Sequence, residues 1–218
     1  MFSVLFEVHP RAEQWDSYVN YATMLRPELE AIDGFVDNIR YRSLTRDGWI
    51  LSLSGWRDEK ALVRWRAHAG HRDVQMHGRS TVFHDYHLRV GQLTHDSAPP
   101  PHHRLTEQRL DETETGEATT ITLIDARCAG ADDPNGLAQW LGLDETAPGL
   151  VAWDVFDAVL TPGDVIALLA WRGHADADAF RGRVNPPPRA RVRQIRVVRD
   201  YGLLDRYEAP QFYPAPQR

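Results

Sequence analysis

A mixed α+β fold, built from two tandem βαββαβ units, is what this 218-residue sequence predicts, on three observations. The first is an internal repeat: at a constant offset of 115 residues, Gly34 pairs with Gly149, Val36 with Val151, Gly48 with Gly163, Leu53 with Leu168 and Trp56 with Trp171. The second is that each copy alternates period-two apolar runs with helical spacing in the same order. The third is the run THDSAPPPHHRLTEQRLDETETGEA between the copies, whose prolines and acidic residues do not pack a core and so read as a linker. The divisions expected are 1–93, a linker at 94–118, a degenerate second copy at 119–205 and a tail at 206–218.

The elements of the first copy follow in order. FSVLFEV alternates and is β-rich, a first strand. Trp15, Tyr18, Val19, Ala22, Leu25 and Leu29 fall at helical spacing, with Pro27 kinking or restarting the helix. Gly34 after Asp33 stops it, and FVDNIRYRSL leaves as a second strand. RDG turns into WILSLSGW, the third strand. Asp58 caps a second helix, DEKALVRWRAHA, whose Ala61, Leu62 and Trp65 form an inward stripe. FHDYHLRVGQL closes the unit as its fourth strand. This order is the ferredoxin-like arrangement. Both helices lie on one face of its sheet, so the other face needs cover. Two copies in one chain predict that their sheets pair as an internal pseudo-dimer, with a homodimer as a further option.

Composition narrows the function classes. A net charge of −6 argues against nucleic acid or an anionic membrane as the main partner. One cysteine excludes an internal disulfide framework and fits a reducing cytoplasm. No run approaches the ~18 apolar residues of a membrane helix, and the start MFSVLFEVHP has no basic lead-in, so a cytoplasmic protein is expected.

Candidate chemistry gathers in GWRDEKALVRWRAHAGHRDVQMHGR. His68 and His71 share a helix face if the helix continues past Gly70, and either could act as a base near neutral pH or form a solvated helix end. Trp56 and Trp65 read as core filling or as pocket walls. Asn38, Arg40 and Arg42 alternate on one strand face and Tyr86 shares a face with His84. Asn38 or Tyr86 could donate to an anion, and the arginines could equally be a sheet edge or interdomain contacts. No metal site is expected: His84 and His87 point to opposite faces, and no carboxylate completes a set beside His68 and His71.

The segments FEVHP, LRPELEAIDGF, LSLSGWRDEKALVRWRAHAGHR and FHDYHLRV together resemble the antibiotic biosynthesis monooxygenases of the dimeric α+β barrel superfamily. GLVAWDVF, ALLAWR and IRVVRDYG carry a weaker resemblance in the second copy. The resemblance implies a helix–sheet pocket, a small hydrophobic or aromatic substrate, oxygen as co-substrate and no tightly held cofactor. On that basis His71 or His68 is expected as the base, Asn38 and Tyr86 as polar contacts, and Trp56, Trp65 and Phe83 as walls. A haem-binding, haem-degrading relative is the alternative, with His71 or His77 as ligand. Trp65 matches that pattern, whereas Glu7 stands at the position of its strand-one Asn and Gln75 at that of its axial His. A non-catalytic binding or assembly module is the third reading, and it predicts a pocket filled by side chains.

Overall fold

The computed structural model describes residues 1–128 and 133–210. The first half runs β1 (Phe2–Pro10), α1 (Trp15–Glu30), β2 (Phe35–Ser43), β3 (Ile50–Trp56), α2 (Glu59–Ala67), α3 (Ala69–His77) and β4 (Phe83–Asp96). The second runs β5 (Thr120–Arg127), α4 (Pro134–Trp140), β6 (Leu150–Ala158), β7 (Asp164–Trp171), α5 (His174–Arg181) and β8 (Arg191–Gly202). The strands form one closed barrel in the order β1-β3-β2-β6-β7-β5-β8-β4, with every neighbouring pair antiparallel.

Two seams join the halves. A short one pairs Tyr41, Arg42 and Ser43 of β2 with Ala158, Asp157 and Phe156 of β6. A long one runs from His87↔Gly202 to Asp96↔Arg193 between β4 and β8. The barrel interior is filled, with Leu5, Leu51, Leu53, Phe156, Leu168 and Ile195 in one cluster. Alternation along β1 sends Leu5 and Glu7 inward and Val4 and Phe6 out toward the helices. Glu7 is buried and ion-paired with Arg89 and Arg46, the latter also holding Asp154 of β6 at 2.6 Å.

The repeat is visible in backbone geometry. Gly34 and Gly149 have φ of +89° and +79°, Gly48 and Gly163 have +75° and +89°, and these left-handed values favour glycine. The Arg57 and Arg172 amides donate to the carbonyls of Gly34 and Gly149, at 2.8 Å in both.

Three expectations need adjusting. Pro27 lies inside α1, which continues to Glu30 without restarting. The second helix breaks at His68, whose backbone is extended, so His68 and His71 do not share one helix face. The residues between β4 and β5 carry no helix or strand, yet they pack: Thr113 and Ala118 are buried. Gln92 makes this possible, because its side-chain oxygen accepts from the amides of Gln108 and Arg109 at 2.6 and 2.9 Å. Of the tail expected at 206–218, residues 211–218 lie outside the described residues.

Candidate functional site

A cavity of about 450 Å³ opens between the helices of the first half and the outer face of its strands. Tyr18, Tyr21, Ala22, Leu25 and Leu29 of α1 line it at helical spacing. Val4 and Phe6, Asn38 and Arg40, Ser52 and Ser54, and Tyr86, Leu88 and Val90 form the floor in pairs and triplets two residues apart, as a strand face requires. The second half contributes as well: Arg199 and Tyr201 at the end of β8, with Arg206 and Pro210 beyond it, complete the wall. Glu208 fixes that last segment by accepting from Thr113 Oγ1 at 2.8 Å and from the Asp200 amide at 2.5 Å.

The equivalent gap in the second half is packed around Trp171, and a smaller cavity of about 350 Å³ opens at its edge, lined by His174, Asp178 and Arg181 of α5 and by Gln92, Thr94 and Gln194. Phe180 takes the place of Trp65 and packs 4.8 Å from the fully buried Trp171, with Leu137 and Ala138 of the short α4 and Leu141 just after it in the same cluster. The filled pocket predicted for an inert module does not describe the first half.

His71 lies on the cavity wall, its ring stacked on Trp65 with centroids 4.2 Å apart and planes 14° apart. Its Nδ1 is 3.0 Å from the Trp65 carbonyl oxygen. A carbonyl only accepts, so Nδ1 carries the hydrogen and Nε2 keeps a lone pair, which faces the Gln75 amide nitrogen at 3.4 Å. Burial lowers the His71 pKa to about 4, against the raising effect of the Trp65 carbonyl, with His68 lowering it further. The imidazole is neutral throughout the physiological range, not poised near pH 7 as expected.

Of the remaining expected residues, Trp65, Phe83, Asn38 and Tyr86 line the cavity. Asn38 spends its amide hydrogens on Ser52 Oγ at 3.0 Å and the Leu53 carbonyl at 3.2 Å, which corrects its expected role as an anion donor. The Tyr86 hydroxyl accepts from Arg206, and burial raises its pKa although Arg206 and Arg79 pull it down. Trp56 is not a pocket wall. It is fully buried beside Phe2 and Ala61, with its Nε1 donating to Ser54 Oγ at 2.9 Å. His68 lies off the lining, at the helix junction 3.4 Å from Glu28. His77 is exposed, its ring edge-on to Tyr21 at 5.7 Å, so it does not serve as a ligand inside the cavity. Glu7 faces the barrel interior, away from the cavity.

Charge is the feature that sequence reasoning missed. Arg40, Arg66, Arg72, Arg79, Arg199 and Arg206 all line the cavity, against a single carboxylate, Glu59. Glu59 is taken by Arg109 at 2.7 Å. Among the described residues none of the six arginines has an ion-pair partner, in a chain whose net charge is −6. Among the described residues no group of three or more His, Cys, Asp or Glu is placed to hold a metal, and no helix is long and apolar enough to cross a membrane.

Residues 1–76 match the family model described as antibiotic biosynthesis monooxygenase. The jasmonate monooxygenase ABM of Pyricularia oryzae is 46% identical over 219 residues, covering 98% of this chain and 99% of its own. Among solved structures, an anthrone oxidase-like protein is 14% identical with a TM-score of 0.36, covering 95% of both chains. A conserved protein from Methanosarcina mazei Go1 is 16% identical with a TM-score of 0.38, covering 41% of this chain and 88% of its own.

Proposed function

This chain belongs to the antibiotic biosynthesis monooxygenase family, and on that premise we propose that it is a monooxygenase whose substrate occupies the Trp65–His71 cavity. The carrying observation is the cavity itself, lined by apolar and aromatic side chains and six arginines, with a neutral imidazole on its wall whose Nε2 lone pair meets only the long contact to Gln75 at 3.4 Å. The relative acting on jasmonate makes that compound the first substrate to try. We read the two halves as fused ferredoxin-like units, of which the first carries the chemistry and the second closes the barrel and one cavity wall.

The reaction this arrangement supports needs no bound cofactor. His71 Nε2 takes a proton from a carbon acid of the substrate, and the resulting carbanion reduces oxygen. For an activated methylene the product is a carbonyl: both hydrogens leave with one oxygen atom as water, and the substrate supplies every electron. A group with a pKa of about 4 is a weak base in the empty cavity. A substrate anion forming beside it favours the imidazolium, as does the Trp65 carbonyl bonded to Nδ1–H. The hydroxyls of Ser52 and Ser54 each accept one hydrogen bond, leaving their own hydrogens to donate to developing negative charge.

Haem fits this donor set poorly. Among the described residues His71 is the one imidazole on the wall, its Nε2 faces Gln75, His77 sits outside, and Glu7 replaces the strand-one Asn on the opposite face.

Oxygen uptake with jasmonate, measured on purified protein with neither reductant nor haemin and then with each, tests the reading. We expect uptake without additions, and incorporation of one labelled oxygen atom into the product. His71→Ala is expected to lower turnover by roughly 100-fold or more with little change in thermal midpoint. Uptake that requires haemin, or an unimpaired His71→Ala variant, overturns the cofactor-free base mechanism.

A further inference from the structure

Every other arginine near the β2–β3 hairpin has been given a carboxylate. Arg42 holds Asp157 through two hydrogen bonds of 3.2 and 2.7 Å, Arg46 holds Asp154 and Glu7, and Arg89 holds Glu7. Arg40, two residues from Arg42 on the same strand, has none. Its Nε is buried without a hydrogen-bond partner, and the buried hydroxyl of Tyr18 lies beside its guanidinium, whose charge and hydrogen bonding pull the Tyr18 pKa down against the larger raising effect of burial. Tyr18 is 9% exposed, and both residues line the cavity. Ser52, opposite Arg40 in the strand register, adds a hydroxyl with a hydrogen to give. The Arg40 guanidinium thus lines the cavity with no carboxylate partner among the described residues and with its Nε unfilled, and a buried donor without an acceptor carries an unrecovered desolvation cost. A ligand that brings a planar anion removes that cost, and guanidinium geometry matches a carboxylate through two parallel hydrogen bonds.

Resting on the reading of this cavity as the substrate pocket, we infer that Arg40 and Tyr18 form a carboxylate receptor, so that the substrates are small apolar organic acids held by the acid group. Arg40 is a positioning and specificity residue; the five other cavity arginines raise the local concentration of anions, and among the six only Arg40 has a buried, unfilled donor. Fixing the acid at the β2 wall orients the apolar remainder of the molecule within the chamber that Trp65 and His71 also line.

The test is a calorimetric binding comparison of acids with their neutral isosteres: octanoate, cyclopentylacetate and 1-naphthylacetate, each against its methyl ester. The full-length protein is expected to bind at least one acid more tightly than its ester by on the order of 10- to 100-fold. Arg40→Gln should erase that preference by weakening the acid alone, Arg40→Lys should restore part of it, and Tyr18→Phe should lose a smaller share. Arg42→Gln removes the same charge from the exposed neighbour and should leave the preference intact, which separates a local role from a general charge effect. Equal binding of acids and esters, no binding of any acid, or a preference that survives Arg40→Gln overturns the inference. The outcomes separate it from the monooxygenase reading: Arg40-dependent binding without oxygen uptake sinks the activity and keeps the receptor. Oxygen uptake that is indifferent to esterification and to Arg40→Gln does the reverse.

Discussion

His71 shows how one buried contact changes what a residue type is expected to do. A histidine in a sequence suggests a proton exchanger near pH 7, but burial, with His68 adding to it, moves this one to about 4. The sign for catalysis follows: the neutral form is the base, so kcat/KM should rise with pH through about 4 and then stay level through neutrality, as a pH–rate profile would show. The sign for stability is separate. The unfolded chain takes up this proton near 6.5 and the folded chain only near 4, so folding stability should fall as pH drops between those values. Denaturant titrations of His71→Gln should lack that part of the acid sensitivity; an unchanged slope would place the titrating group elsewhere. Glu7 adds a further loss in acid: burial raises its pKa, but Arg89 and Arg46 outweigh that and hold it below 4.5, so its contribution starts to decline below 4.5 and is gone once pH has fallen through its lower folded-state pKa.

At the scale of elements, the α2 cap was legible and the helix after it was not. Asp58 accepts from the Ala61 amide at 2.8 Å, as an N-cap residue should. Asp58→Ala is expected to destabilise the protein by ~1 kcal/mol in urea titrations and to loosen the helix that carries Trp65. The break at His68 had only a faint signal, Gly70, whose place in the fold becomes clear from its surroundings: a side chain there would meet Glu28 of α1 at 3.0 Å. Helical spacing alone could not say whether the chain would bridge that point, because the constraint comes from a neighbouring helix. Strand β2 poses the same limit. Asn38, Arg40 and Arg42 alternate with one phase in the sequence, yet Asn38 and Arg40 reach the cavity while Arg42 is spent on β6.

The whole molecule depends on closing two halves into one barrel. Gly91 sits in the long seam, where an added Cβ would lie 2.3 Å from Ile195 Cγ2 and 2.5 Å from the Arg196 carbonyl oxygen. Because part of that obstacle is backbone, Gly91→Ala should cost roughly 1–3 kcal/mol, seen as a lowered thermal midpoint. A second tie crosses between the halves from the β2–β3 turn, where the half-buried Arg46 bridges Glu7 and Asp154. Arg46→Met leaves Asp154, 3% exposed, without its cation and is expected to destabilise by about 3–5 kcal/mol in the same assay. A smaller loss would mean that Ser43 and Thr45, which also donate to Asp154, suffice to hold it.

The sequence by itself determined the local grammar: the repeated glycines at left-handed positions, the hairpin, the capped helix, the alternating strands and the family resemblance. Each of these depends on residues close together in the chain, where periodicity and turn chemistry act directly. Only the tertiary structure decided which half holds the Trp65–His71 cavity, since Phe180 and the short α4 pack around Trp171 in one gap while Trp65 and the longer α1 line the other. It also decided which charges have partners. Arg206 reaches Tyr86 across 120 positions of sequence, and Arg40 is left over because Asp157 meets Arg42 instead. Pairings at that separation are set by barrel closure, and no local pattern encodes them.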